Sequence, residues 1–356
     1  MKQIVLIFAL LFAPLAWAQS DDLGDFVTSY AQAHKFNGTI LVQKPGQPAL
    51  AKNFGMANIA LKVPNTRQTR FKIASITKLF TSVLIMQLYE QGKLDLDRPF
   101  KAYLPDYTGP AADQVTIHQL LDHTSGLPNI DNVKDAADAI EHGLPVYQVP
   151  YTSDQLLSKF CSGALVNVPG KVFDYNNADY IVLGKIIEHV VGQPFDQVLK
   201  TRILQPLQLK NTGMLHQYEI IDGLADTYFY RDDLKALAND LPVYPENWYS
   251  AGAMYSTSDD LLAFTNALFG LKLIKQTTLD VMLKPGLDDY AFGAWSYETK
   301  VNGKPHPIMK RPGRIMGAQT QLLHVRDQNI TIVILSNTGT TDLDEFVAAI
   351  AKRAID

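Results

Sequence analysis

Ser75 and Lys78 stand three residues apart in the stretch RFKIASITKLF, residues 70–80. Residues i and i+3 share one face of a helix, so at a helix start this hydroxyl and this ammonium point the same way. The residues that follow, Ile76, Leu79, Phe80, Val83, Leu84, Ile85, Met86 and Leu88, leave almost no polar side to the helix. Such a helix is buried nearly all round. Burial disfavours the charged form of a lysine, and the positive end of the helix dipole acts in the same direction. A lysine that is neutral part of the time can take the proton of a neighbouring serine, with no histidine required. A serine at a helix start also aims its own backbone N–H at any carbonyl it attacks, which is half of an oxyanion hole. Chance gives about one Ser-x-x-Lys in a chain of this size, so the setting carries more weight than the tetrapeptide.

A second constellation is Tyr175-Asn176-Asn177, in VPGKVFDYNNADYIVLG, read as a loop before a helix at 180–192. A tyrosine hydroxyl beside a lysine can relay protons, and an asparagine amide can hold a substrate carbonyl and the lysine together. His123, in HTSGLP, reads as a structural loop residue, and Cys161, alone in the chain, as a small core residue. A single cysteine excludes an internal disulfide and a cysteine-rich zinc site. The eight histidines show no metal-ligand spacing, and the Gly-x-Ser-x-Gly, His-Glu-x-x-His and Gly-x-x-x-x-Gly-Lys patterns are absent. No cofactor is implied.

The elements that must position these residues fall into three blocks. A helix at 21–35 precedes two alternating runs, GTILVQK (38–44) and PALAKNFG (48–55), which read as a hairpin; the long helix at 75–91, stopped by Gly92, follows. From 93 to about 245 the pattern is short helices punctuated by Pro and Gly, with no strand signal. Strands return at 292–298, near 307–315, at 321–327 and at 329–337, and a helix at 342–355 closes the chain. The simplest arrangement is an α/β (α+β) fold. An antiparallel β-sheet is built from both chain ends and flanked by helices, and an all-helical insertion supplies the other wall of a crevice. On this reading residues 19–356 form one domain, its α/β part about 21–95 and 246–356 and its helical part about 96–245.

The first eighteen residues, MKQIVLIFALLFAPLAWA, have the charge, apolar run and small-x-small end of a secretory signal peptide cut after Ala18. No later apolar run is long enough to cross a bilayer, so a periplasmic or secreted location is expected. With 32 basic and 36 acidic residues, a net charge of −4, nothing favours nucleic acid or an anionic membrane as a partner. A small-molecule or peptide substrate is the expected ligand, and the oligomeric state is left open.

Taken together, these segments resemble the serine β-lactamase and penicillin-binding-protein superfamily, in its class C-like branch. That branch includes D,D-peptidases, D-amino-acid amidases and carboxylesterases. FKIASITKLFTSVLIMQLYEQGKLDLDRPFKAYLPDY is similar to the nucleophile helix and its sequel. TIHQLLDHTSGLP, FDYNNADYIVLGKIIEHVVGQPF and WYSAGAMYSTSDDLLAF follow in the family's order. The resemblance spans roughly residues 25–340 and implies a β-lactamase/transpeptidase-like fold. It also implies an acylated nucleophile at Ser75, a proton acceptor at Lys78, a role for Tyr175 in leaving-group protonation or deacylation, and substrate positioning by Asn177.

The third family motif departs from its pattern. Gly317 fits the glycine that follows the family's Lys-Thr-Gly or His-x-Gly by six residues, which places Arg311-Pro312-Gly313 at the motif. Arg311 stays charged, so it can bind a carboxylate but not act as a base. Pro312 lacks both hydroxyl and N–H, so the hydroxyl that would hold a β-lactam or D-alanine carboxylate is missing. By this alignment the second oxyanion donor is the N–H of Arg314, and Arg311, Gly313 and Arg314 join Asn177 as substrate-binding residues. Lys310 is the alternative cation if the register is off by one; otherwise Lys310 and Arg314 are surface charge. The expected function is an exported serine hydrolase acting on an amide or ester, D,D-peptidase-like or a D-amino-acid peptide hydrolase. The alternatives are a carboxylesterase, a β-lactamase, or a non-catalytic binder of cell-wall fragments.

Overall fold

A computed structural model of the chain describes residues 23–131 and 133–355. The expected signal peptide lies outside the described residues. The central element is a six-stranded, wholly antiparallel sheet. Its strands are β1 (Gly38–Gln43) and β2 (Leu50–Phe54) from the start of the chain, and four from its end. A separate two-stranded hairpin, β3 (Tyr228–Arg231) and β4 (Ala236–Asn239), intervenes in sequence. The C-terminal strands are β5 (Trp295–Val301), β6 (Lys304–Ile315), β7 (Ala318–Val325) and β8 (Ile330–Ser336). The order across the sheet is β5-β6-β7-β8-β1-β2, so β1 closes onto the last strand.

Alternation along these strands divides the core in two. Ile40, Val42, Leu323, Val325, Ile332 and Ile334 face α1 (Leu23–Ala33) and the C-terminal helix, while Leu41, Met309, Leu322, Val333 and Leu335 face the larger cluster. That larger cluster contains α2 (Thr77–Glu90), α3 (Asn177–Val191) and α4 (Ser258–Phe269), and the C-terminal helix is α5 (Leu343–Ala354). Within it Phe80 of α2 stacks on Phe264 of α4 at 3.9 Å between ring centroids. The ends of α3 follow from local chemistry. The Asn176 side chain accepts the Asp179 N–H, and Gly192 takes the left-handed conformation that terminates it.

The stretch 93–245, expected to be free of strands, holds several short ones. Gly213–Met214 pairs with Met254–Ser256, and β3 pairs with β4. The first is only two residues long. The β3–β4 turn, Asp232-Asp233-Leu234-Lys235, has neither Gly nor Pro and places Lys235 at φ +52°. Neither feature leaves a readable pattern. The long helix also begins differently: residues Ala74–Ile76 form a single 3₁₀ turn before α2. The helix expected at 180–192 begins three residues earlier, so Asn177 is its first residue.

Two features of the sheet matter for the site. The last pair between β5 and β6 joins Trp295 to Lys310, whereas β6 continues beside β7 as far as Ile315. Residues 311–315 thus form an open edge, where Pro312 removes no bond to a neighbour on the vacant side. At the other closure, Gly38 (φ +151°) packs so tightly that a Cβ there would stand 2.0 Å from the Leu335 carbonyl oxygen. Gly38→Ala is therefore expected to destabilise the protein by about 3 kcal/mol, read as a lower Tm; an unchanged Tm would contradict the closure of β1 on β8.

Candidate active site

Ser75 is held by its backbone. Ala74, just before it, sits at φ +47°, a conformation that non-glycine residues adopt only when their surroundings hold it. The surroundings do so. Thr77 Oγ1 donates to the Ala74 carbonyl at 2.7 Å, Ile73 N–H donates to Met254 O at 2.9 Å, and Thr320 Oγ1 donates to Ile73 O at 3.2 Å. Gly313 of β6 lies against the same turn. A Cβ at Gly313 would come within 2.4 Å of Ile73 O and 3.1 Å of Ser75 N, so only glycine lets the strand approach this closely.

Lys78 is fully buried. Its Nζ donates to Asn177 Oδ1 at 2.6 Å and to the Ala251 carbonyl at 3.0 Å, and lies 3.3 Å from Ser75 Oγ. Burial lowers its pKa, and the Arg311 charge lowers it further against the opposing influence of Tyr175 and Asp131. Tyr175 OH donates to Ser75 Oγ at 2.9 Å, and the Lys78 ammonium stands 4.9 Å from the Tyr175 ring centroid. The serine hydroxyl therefore lies between an ammonium of lowered pKa and a phenol.

Arg311 is not placed as a substrate-facing cation. It is buried, and each nitrogen of its guanidinium has an internal partner: Nε donates to the Ser75 carbonyl at 2.7 Å, Nη1 to Tyr290 OH at 2.9 Å and Nη2 to Tyr175 OH at 2.5 Å. The expectation that it meets a carboxylate is corrected to this extent: although it borders the cavity, three of its five N–H groups are turned to the nucleophile's own carbonyl and to two phenols. Its effect is electrostatic. Burial alone would raise the Tyr175 pKa, but Arg311 and then Lys78 outweigh it and bring the phenol down to about 8.

Several partners had no sequence signal. Asn177 Nδ2 donates to Asp131 Oδ2 at 2.6 Å, Asp131 also accepts from Tyr147 OH, and the Tyr147 ring stacks on Trp248 at 3.8 Å. This chain fixes which way the Asn177 amide faces, so that its oxygen meets Lys78. His123 is buried with Nδ1 2.8 Å from Asp179 Oδ2, and Ser125 Oγ donates to Asp179 Oδ1 at 2.5 Å. Burial holds the His123 pKa well below its ordinary value, and Lys78 and Arg311 add to the effect. Its ring packs 4.4 Å from that of Tyr175, as a support and not as a partner of Ser75. Arg314 follows Gly313 on the open edge and turns its side chain to Asp344, as does Lys310. Cys161 is buried, as expected of a core residue. No cluster of potential metal ligands occurs among the described residues.

These groups meet a cavity of about 500 Å³ lined by Ser75, Tyr175, Trp295, Pro312 and the charged side chains around Asp344. The sequence profile of the beta-lactamase family matches residues 23–356. The chain belongs to that family, and is a serine hydrolase. It is 26% identical over 322 residues to the teichoic acid D-alanine hydrolase of Staphylococcus aureus, covering 89% of this chain and 74% of that one. A penicillin-binding protein from Bacillus halodurans superposes with a TM-score of 0.77 at 29% identity, covering 91% of this chain and 98% of that one. The D-amino acid amidase of Ochrobactrum anthropi SV3 gives 0.78 at 24% identity, over 94% and 97%, a likeness of fold.

Removing the guanidinium separates its electrostatic effect from its packing. Arg311 lowers both Tyr175 and Lys78, so in Arg311→Gln both pKa values rise. The ascending limb of the acylation pH profile should then move to higher pH by roughly one unit, and Arg311→Lys should restore part of the shift. A limb that stays in place while the rate falls would leave Arg311 a purely structural role.

Proposed function

We propose that this chain is an exported hydrolase that opens an amide or ester through an acyl-enzyme on Ser75, acting as a D,D-peptidase or as a hydrolase of D-amino-acid peptides. The observation that carries this reading is the position of Ser75 Oγ, 2.9 Å from Tyr175 OH and 3.3 Å from Lys78 Nζ. In acylation Ser75 Oγ bonds to the substrate carbonyl carbon and its proton passes to the neutral form of Lys78 or to the Tyr175 phenolate. The carbonyl electrons move onto oxygen, which the N–H groups of Ser75 and Arg314 receive. Collapse expels the leaving group, which takes up the proton through Tyr175. In deacylation the same pair removes a proton from water, whose oxygen bonds to the acyl carbon; the bond from that carbon to Ser75 Oγ then breaks, Oγ takes the proton back, and the acid product leaves. Asn177, held by Asp131, keeps Lys78 in register.

The expected signal peptide and the names of the relatives support export and a D-alanyl or D-amino-acid acyl group. A carboxylesterase of the same family is the second reading, favoured by Pro312: the hydroxyl that would hold a substrate carboxylate beside the nucleophile is missing, and an ester without a carboxylate does not need it. Intact mass after minutes and hours with a penicillin, for the wild type and Ser75→Ala, tests the mechanism. A Ser75-dependent adduct is expected, its persistence favouring the peptidase. If the penicillin stays intact, D-amino-acid amides and simple esters are the next substrates. Turnover of any of them that survives Ser75→Ala would overturn the assignment.

A further inference from the structure

Besides Ser75 and Tyr175, the cavity is lined by Pro312 of the open β6 edge and by an ion cluster of Lys310, Arg314 and Asp344. Lys310 Nζ lies 2.5 Å from Asp344 Oδ1, Gln321 Nε2 donates to the same oxygen at 2.8 Å, and Arg314 Nη2 pairs with Asp344 Oδ2. Both oxygens of Asp344 are thus engaged. Burial works against its ionisation, but Lys310 and Arg314 outweigh that effect and hold the carboxyl below its ordinary range. Among the residues lining the cavity, Asp344 is the one acid, against Lys310, Arg311 and Arg314. The cluster therefore carries surplus positive charge. Its carboxylate is already flanked by two cations, which would repel a substrate ammonium, while the Arg314 side chain is 58% exposed and gives Asp344 a single nitrogen. Trp295 and Tyr297 form the adjoining wall.

We infer that Lys310 and Arg314 form a specificity site for a carboxylate or phosphate group of the substrate, carried beyond the scissile carbonyl, with Asp344 setting the strength of that attraction. The inference rests on the serine hydrolase reading above. It replaces the anchor that Pro312 cannot provide: the negative group is caught by side chains on the far side of the strand edge and not beside the nucleophile. Asp344 holds both cations in place and cancels one of their charges, so the site favours an anion without binding it tightly.

Matched esters test this. On the acyl side, mono-4-nitrophenyl succinate is compared with 4-nitrophenyl butyrate. On the leaving-group side, the butyryl ester of 5-hydroxy-2-nitrobenzoate is compared with 4-nitrophenyl butyrate. The readout is the anionic-to-neutral ratio of kcat/KM within each variant, which a general loss of activity does not alter. Wild type should prefer the anionic member of at least one pair by roughly fivefold, and less as the salt is raised toward about half molar. The ratio should fall toward one in Arg314→Ala and in Lys310→Ala, and rise in Asp344→Asn. Competition by inorganic phosphate, stronger against the anionic ester, would identify phosphate as a second form of the ligand; its absence would restrict the site to carboxylates. Ratios at or below one in both pairs, or ratios that the three substitutions leave alone, would overturn the inference while Ser75-dependent turnover persists. If turnover instead survives Ser75→Ala, the serine hydrolase reading itself falls.

Discussion

The ammonium of Lys78 is the group around which the rest is arranged. An unpaired charge in a dry interior is costly, and no carboxylate touches this one among the described residues. It is held instead by two carbonyl dipoles, those of Asn177 and Ala251, and by the face of Tyr175. Each comes from a different part of the chain: the start of α3, the one-turn helix Tyr249–Gly252, and the loop before α3. A second buried cation, Arg311, faces the same tyrosine. Two positive charges with few negative partners lower the proton affinity of everything between them. The depressed Tyr175 phenol is a consequence of that constraint, which also adds to the burial that keeps His123 neutral.

The strand edge answers a different requirement. Gly313 permits β6 to lie against the backbone of the nucleophile turn, and the open stretch beyond Lys310 leaves room for a substrate to lie alongside. Pro312 suits such an edge because it has no N–H to leave unpaired. The same residue removes a side-chain hydroxyl from the position nearest the serine, which shifts recognition of charge to residues farther along the strand.

Much of this was legible in the sequence where it depended on local pattern. The apolar run after Ser75 announced a buried helix with a lysine inside it, and the strand signals at the two ends announced one sheet. The contributions of Asp131, Tyr147 and Tyr290 were not legible, because they act through contacts between residues far apart in the chain and their types are ordinary for loops and cores. Arg311 was found by counting back from Gly317, but its direction was not. Whether a strand residue faces the solvent or the nucleophile helix depends on the register with β7, which the sequence alone does not display.

The sheet is closed by strands from opposite ends of the chain. Ser336 Oγ donates to the Asn37 carbonyl across 299 residues, and Arg311 reaches the Ser75 carbonyl across 236. Contacts of such separation form slowly, because the loop between them must be closed first. Ser75 and Lys78 are in place early in synthesis, but the guanidinium that tunes Tyr175 and the glycine that abuts the nucleophile turn arrive only near the carboxyl end. A partial chain carries the serine without the means to use it, so reactivity toward acyl groups belongs to the finished molecule alone.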